Sequence, residues 1–128
     1  MGQQQLLLII LGVIIVGFAI AVGLGLFSAQ SVSSNRDAMI NDLNHIGVVA
    51  YEYRISLRRL GGGEGDYTDF NVPSAMARNN NGKYSVIDAQ VNSVTLKGTS
   101  ATDSANTIVV TVDINGRLGN LTFTGDFQ

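Results

Sequence analysis

An uninterrupted apolar run near the N terminus limits the folds that this chain can adopt. Leu6–Phe27 contains 22 residues without one charged or strongly polar side chain, in a chain of 128 residues. As a helix this run is about 33 Å long, which matches the hydrocarbon core of a bilayer. A helix buried in a small soluble protein usually keeps a polar face, and this run has none. The run therefore predicts a helix surrounded by lipid or by other apolar helices.

A cleaved secretory signal is the main alternative interpretation of the run. The apolar core of a signal peptide is about 7–15 residues long and follows a basic start. Here the run is longer, and the residues before it include no Lys or Arg. The only basic residue near either end is Arg36, which is followed by Asp37, so flanking charge does not predict the orientation. We therefore expect a retained membrane helix.

Four glycines recur within the apolar run. In lipid, small residues mark the places where helix backbones approach each other, although Gly is also simply common in membrane helices. We expect close packing between copies of this helix. The residues predicted to make that packing are Leu6, Leu7, Ile10, Leu11, Gly12, Ile14, Gly17, Phe18, Ala21, Gly23 and Gly25.

Helical spacing continues after the apolar run, but only one face stays apolar. Apolar residues recur at steps of three, four and seven from Val32 to Leu60, and no proline interrupts residues 1–60. Gly61-Gly62-Gly63 is a strong stop signal. The pattern predicts one helix over about residues 4–60 with an amphipathic second half. The residues predicted to pack on a sheet are Met39, Ile40, Leu43, Ile46, Ala50, Tyr53 and Leu57.

Residues 61–82 form a Gly-rich segment that predicts a loop, with a short turn near Ser74–Arg78. The glycines resemble a phosphate cradle only in composition, because no Gly-Lys-Ser/Thr follows them. The acidic residues Glu64, Asp66 and Asp69 lack the spacing of a calcium-binding EF-hand loop. We therefore interpret the segment as a solvated loop.

From Lys83 onward the hydrophobic period becomes two, which predicts antiparallel strands. Asn115-Gly116 is the strongest short hairpin signal in the chain. The first two strand segments form either a hairpin or one strand with a bulge near Asn92-Ser93. The predicted segments are Tyr84–Gln90, Val91–Lys97, Thr107–Ile114 and Arg117–Phe127, with a polar connection over Gly98–Asn106.

Together these elements predict an α+β chain with two parts. Residues 1–30 form an apolar transmembrane or helix-packing segment. Residues 31–128 form a globular head that contains the amphipathic half-helix 31–60, the loop 61–82 and a three- or four-stranded antiparallel sheet over 83–128. A sheet of this size needs an apolar partner, and the stripe on the half-helix is the matching face. We expect the apolar half of the helix to protrude from the head.

The composition favours no catalytic, metal or nucleic-acid function. The chain has no cysteine, a single histidine (His45) and a net charge of −2 without a basic patch. No nucleophile, paired-carboxylate or metal-ligand cluster can be assembled from the sequence. We expect a protein that is not an enzyme, needs no cofactor and does not bind nucleic acid.

The order of these features resembles the type IV pilin family, including pseudopilins and related filament subunits. The resemblance covers the whole chain: Gly2 before three glutamines, then the apolar run, the amphipathic continuation, the loop and the antiparallel head. It implies cleavage by a prepilin peptidase after Gly2, so that Gln3 becomes the mature, methylated N terminus. It also implies subunits that wait in the cytoplasmic membrane and are then polymerised by an assembly machinery into a helical surface filament of identical copies.

The chain departs from the usual pilin pattern at several positions. Pilins usually have a glutamate near the mature N terminus, and that place is Leu7 after cleavage at Gly2, or Gln5 if Met1 is retained. A basic residue before the cut, a proline within the apolar half and a C-terminal disulfide are also absent from the sequence. These departures suggest a divergent or minor subunit. The alternatives are a membrane-anchored extracytoplasmic binding domain and a soluble binding module behind a cleaved signal.

Overall fold

The computed structural model describes residues 2–128 and confirms the α+β class. The elements are helix α1 (Gly2–Ile55) and strands β1 (Gly82–Ala89), β2 (Val94–Ser100), β3 (Thr107–Val112) and β4 (Leu118–Thr124), with 3-10 turns at Arg58–Leu60 and Gly125–Phe127. The chain divides into two compact units with a boundary between Ser33 and Ser34. Helix α1 contributes residues to both units. The second unit, Ser34–Gln128, is called the head below.

The four strands form one antiparallel sheet in the order β1-β2-β3-β4. The first two strands pair as a hairpin, which was one of the two arrangements that the sequence left open. Its turn is closed by the backbone N–H of Gln90, which donates to the carbonyl oxygen of Ser93 at 2.7 Å. Strand β2 alternates between buried and half-buried side chains along its whole length. This period of two is the pattern of a strand with one face on a core.

The amphipathic half of α1 packs against the apolar face of this sheet. Its buried residues follow the spacing of one helical face: Met39, Leu43, Ile46, Gly47 and Ala50. They meet the buried sheet residues Tyr84, Val94, Leu96, Ile108, Val110 and Val112 in the core of the head. The packing is close at two glycines. A Cβ atom added at Gly47 would lie 2.6 Å from a methyl carbon of Leu118, and one added at Gly98 would lie 3.0 Å from the terminal methyl of Met39.

Helix α1 ends at Ile55, five residues before the predicted end at residue 60. The chain turns out of the helix at Leu57, and the glycine segment then folds back on the helix terminus. The backbone N–H groups of Gly63 and Gly65 donate to the carbonyl oxygens of Tyr53 (2.7 Å) and Arg54 (2.5 Å). These bonds satisfy carbonyls that a helix end leaves without partners. The glycines thus stop the helix earlier by capping it.

The Gly-rich segment is not a fully solvated loop as predicted. Tyr67 and Phe70 are buried in the core of the head. The Tyr67 hydroxyl donates to the carbonyl oxygen of Asp113 at 2.8 Å, which ties the segment to the end of β3. The predicted short turn near Ser74–Arg78 is present as a turn over residues 74–76.

The last strand also differs from its prediction. Strand β4 ends at Thr124, and a 3-10 turn then places Phe127 in the core. The register with β3 shifts between Val109 and Thr111. Asn120 has a φ of 55° at this irregularity, a conformation that asparagine tolerates better than most residues. Asn120 and Leu121 both lie opposite Val110 at this bulge, which removes Leu121 from the regular alternation and leaves it exposed to solvent.

Candidate assembly surface

The apolar segment, Leu6–Phe27, exposes its side chains on every side of the helix. Its large hydrophobic side chains are between 48% exposed (Ile14) and 74% exposed (Phe27). Its most apolar stretch has no residue buried within the described part of the chain, residues 2–128. The helix is long and apolar enough to cross a membrane. A segment of this kind near an N terminus is typical of a membrane anchor or a signal sequence.

The glycines of the apolar segment lie in open space. A Cβ atom added at Gly12, Gly17, Gly23 or Gly25 would meet no atom within 4 Å in the described structure. The other residues predicted for helix–helix packing are likewise exposed: Leu6, Leu7, Ile10, Leu11, Ile14, Phe18 and Ala21. Any close contact at these positions must therefore come from molecules outside this chain.

The residues around the predicted cleavage point belong to the first turns of α1. The described helix begins at Gly2, and Gln3 follows within it, both exposed. Met1 lies outside the described residues. Gln5 and Leu7, the two positions predicted to take the place of the pilin glutamate, are exposed as well. An amide at Gln5 can donate and accept hydrogen bonds without a charge.

The residues predicted to pack on the sheet have different environments. Met39, Leu43, Ile46 and Ala50 are buried, while Ile40 and Tyr53 are half-buried. The Tyr53 ring lies 5.5 Å from the ring of Phe70, centroid to centroid. Leu57 lies beyond the end of α1 and is exposed. Gly47, which was not among the predicted packing residues, is buried against Leu118 and Val112. A small residue inside the apolar stripe was the feature that could have indicated this close packing.

Asp42 is the polar centre that fastens the helix to the first hairpin. Its Oδ2 atom accepts hydrogen bonds from the Tyr84 hydroxyl (2.5 Å) and from the side-chain amides of Asn79 (2.8 Å) and Asn81 (3.0 Å). Partial burial raises the pKa of Asp42, but these three bonds and the charge of His45 outweigh it and keep the pKa below its usual value. Burial, and then the bond to Asp42, raise the pKa of Tyr84.

Two arginines of the helix stack on aromatic rings of the head. The guanidinium of Arg36 lies 4.5 Å from the centroid of Phe123, and that of Arg54 lies 5.5 Å from the centroid of Tyr67. Arg54 also donates to the carbonyl oxygen of Ile114 at 3.3 Å. The buried Nε atoms of both arginines lack a hydrogen-bond partner within residues 2–128. These contacts attach polar positions of the helix to the sheet, and no periodicity predicts them.

The predicted hairpin turn lies between β3 and β4 and also contacts the helix. The Asp113 carboxylate accepts hydrogen bonds from the backbone N–H groups of Asn115 (2.8 Å) and Arg117 (2.9 Å). Gly116 has a φ of 80°, and a Cβ atom added there would lie 2.7 Å from the ring of Tyr51. Only glycine combines this conformation with so close an approach. The turn therefore helps to position the sheet on α1.

Within residues 2–128, no group of three or more potential metal-ligating side chains comes together. His45 is exposed on the helix, next to the Asp42 centre. No protein-family model, curated protein or solved structure matches the chain. The architecture, a long apolar N-terminal helix whose second half packs on a four-stranded antiparallel sheet, is compatible with a pilin-like fold.

Proposed function

We propose that this chain is a non-enzymatic structural subunit of a helical, type IV pilus-like filament on the cell surface. The observation that carries the proposal is the apolar segment, whose side chains are exposed on all sides while the head has a closed core of its own. A surface of this size and composition marks a contact with lipid or with another apolar surface. Copies of the same segment supply such a surface.

Energetics support a bundle of these segments. The segment contains 16 large hydrophobic side chains that are about half exposed or more. Complete burial of one such side chain is worth about 1.5–3 kcal/mol, so burial of most of them is worth tens of kcal/mol before entropic costs. A bilayer buries the same side chains, so the subunit can be held in the membrane before assembly. A contact that repeats without closing then generates a helical polymer.

The resemblance to pilins supplies the processing steps of the proposal. A prepilin peptidase cleaves after Gly2, and Gln3 becomes the mature N terminus. The membrane then holds the subunit until the assembly machinery extracts it. Because neither Gln5 nor Leu7 is charged, registration of each new subunit relies on hydrogen bonding and helix packing in place of an ion pair with a terminal amine.

The deciding experiment is electron microscopy of surface material sheared from cells that produce this chain, with mass spectrometry of the same material. We expect fibres of uniform width whose subunits begin at Gln3 and retain Leu6–Phe27. A monomeric product that lacks the residues before about Ser28 would contradict the proposal, because it would identify the apolar segment as a cleaved signal.

A matched pair of variants tests whether the apolar segment drives assembly. Val16 and Val91 are almost equally exposed, at 57% and 55%, but they lie in the apolar segment and in the head. We expect Val16→Asp to abolish fibres, because a carboxylate at the centre of a membrane helix costs about 2.5–3.5 kcal/mol. Val91→Asp should leave fibre yield unchanged. Equal loss in both variants would count against a role specific to the segment.

The second candidate is a membrane-anchored extracytoplasmic binding domain. The long apolar helix near the N terminus favours it as well. In that case the chain stays in the membrane fraction with an uncleaved Gly2, and sheared material contains none of it. The microscopy experiment therefore separates the two candidates.

A further inference from the structure

The head contains a basic groove at the start of strand β1. Arg78 and Lys83 are direct partners in an isolated antiparallel bridge, and both side chains are exposed. Both line a concavity of about 510 Å³, together with Asn80, Thr99 and Ser104. We call this concavity the basic groove.

Within residues 2–128, neither cation of the basic groove takes part in an ion pair. Like charges directly opposite each other across two strands are destabilising. The one ion pair among residues 2–128 joins Arg58 and Glu64. The Asp42 carboxylate beside the groove already accepts three hydrogen bonds through one oxygen, and that of Asp103 accepts the N–H of Ala105 at 2.9 Å. The arrangement therefore fits an anionic partner from outside the chain.

A second groove, of opposite charge, lies at the other end of β1. Asp69 and Asp88 line a concavity of about 320 Å³ between the loop at residues 68–71 and the strand. Neither carboxylate takes part in an ion pair within residues 2–128. Ile87, which also lines this acidic groove, is an exposed hydrophobic residue. Lys97 in the adjacent strand is a diagonal neighbour of Asp88, but the two form no ion pair.

The two grooves are complementary, but one molecule cannot bring them together. Lys83 and Asp88 pair with Thr99 and Thr95 of β2, four residues apart because β1 has a bulge, which is about 13 Å along a strand. Contact between a basic and an acidic groove therefore requires two copies. In a heterologous contact, one copy uses its basic groove and the other its acidic groove, so the pair retains one free groove of each sign and repetition produces an open polymer.

We propose that neighbouring heads in the filament dock head to tail, with the basic groove of one copy against the acidic groove of the next. This inference rests on the proposed filament function and names the lateral contact that accompanies bundling of the apolar segments. A second copy is the favoured occupant because it accounts for both grooves, whereas an acidic polymer accounts for only one. Local complementarity also offsets the general repulsion between copies with a net charge of −2.

Cysteine cross-linking tests the contact directly. The chain has no native cysteine, so Lys83→Cys/Asp88→Cys introduces the only two thiols. About 13 Å between the two Cα atoms exceeds the span of a disulfide, which excludes a bridge within one copy. Mild oxidation of the full-length chain, in fibres or in non-ionic detergent, should give a ladder of dimers, trimers and longer oligomers on a non-reducing gel.

The control is Arg117→Cys/Asp126→Cys, which replaces another exposed cation and acid of the head and should stay monomeric. Monomers alone, or dimers without higher species, in the Lys83→Cys/Asp88→Cys variant would overturn head-to-tail docking. If fibres form without a ladder, the docking is wrong and the filament function stands. A ladder without fibres would support the docking of the heads and contradict the filament function.

Charge exchange provides an independent test of the grooves. Arg78→Glu/Lys83→Glu and Asp69→Lys/Asp88→Lys should each lower the extent of polymerisation, by about twofold to fivefold for each lost pair. The variant that carries all four changes restores opposite charges and should polymerise like the natural chain. Asp103→Asn, which removes a carboxylate beside the basic groove, should not weaken polymerisation. Failure of the fourfold variant to recover, in a head that unfolds at the normal denaturant concentration, would refute the pairing.

Discussion

The two halves of helix α1 have the same backbone structure and opposite environments. In the half that belongs to the head, Leu43 is fully buried beneath the sheet, whereas Leu11 in the apolar segment is 53% exposed. The head half has one apolar stripe and polar residues such as Asp42 that bind the hairpin. The apolar segment has neither a polar face nor a buried residue in the described chain.

The head half of the helix is stabilised by its own chain, whereas the apolar segment depends on lipid or on other molecules. A helix with one apolar face can be completed by a sheet of the same chain, because its other face remains compatible with water. A helix that is apolar on every face needs lipid or other helices around it. We therefore expect changes in the head half to alter the free energy of unfolding, and changes in the apolar segment to alter assembly.

The largest expected effect on the head comes from Leu43→Ala. Removal of a fully buried leucine leaves a cavity, which should lower the free energy of unfolding by about 2–5 kcal/mol. Denaturant titration of the full-length protein in non-ionic detergent, followed by hydrogen exchange of the strand amides, measures this loss. Leu11→Ala is the matched control and should leave head stability unchanged. Similar losses in both variants would remove the distinction between the two halves.

A smaller loss is expected for Gly63→Ala. A Cβ atom at Gly63 would overlap the backbone carbonyl oxygen of Asp66 and disturb the cap at the end of α1. Overpacking of this kind costs about 1–3 kcal/mol, which should appear as a lower midpoint of chemical unfolding. Gly119→Ala, where the added carbon meets nothing within 4 Å, serves as the control. An unchanged midpoint for Gly63→Ala would show that the cap does not stabilise the head.

Tyr84→Phe should cost about 1 kcal/mol, because it removes the hydrogen bond to Asp42. The lowered pKa of Asp42 means that its stabilisation exists above its unfolded value of about 3.9 and is lost as the pH falls through the folded value. The raised pKa of Tyr84 means that its stabilisation exists below about pH 10 and is lost above it.

The pH dependence of stability therefore provides the readout for that variant. Tyr84→Phe should flatten the loss of stability on both the acid and the alkaline side, whereas Tyr51→Phe should not. Thermal unfolding followed by circular dichroism across the pH range measures the loss of stability on the acid side and on the alkaline side. An identical pH profile in Tyr84→Phe and the natural chain would contradict the role of this bond.

The smallest effect on the head, and a large effect on assembly, is expected for Gly17→Leu. A bulky side chain at this position meets open space within one chain but blocks close approach of a neighbouring helix. Fibre yield should fall while the unfolding of the head is unchanged. Gly119→Leu adds the same side chain at an open position of the head and should leave the yield intact. Equal yields from both variants would argue against close helix packing.

Much of the fold could be predicted because the local residue patterns match the faces that are buried in the tertiary structure. The helical stripe through Leu43 and Ile46, the alternation along β3 and the Asn115-Gly116 turn each follow one period or one turn rule. The end of α1 could not be placed correctly, since Gly63 and Gly65 cap the helix through backbone bonds that form only when the glycine segment folds back on it. The orientation of Leu121 was also unpredictable, because a one-residue bulge interrupts the alternation of faces without a change in composition.

Residue patterns alone were enough to predict the fold class and the difference between the apolar and the amphipathic half of the helix. An apolar run without a polar face requires a nonaqueous neighbour whatever the rest of the chain does, and period-two segments require an antiparallel sheet with a cover. Folding was needed to reveal that Tyr67 and Phe70 close the core and that Asp42 binds three side chains of the hairpin region. It also revealed that β1 has a groove of each charge at its two ends. The physical reason is that hydrophobic periodicity is a property of neighbours in sequence. Buried loops, hydrogen-bond centres and complementary grooves arise between residues that are distant in sequence and meet only after folding.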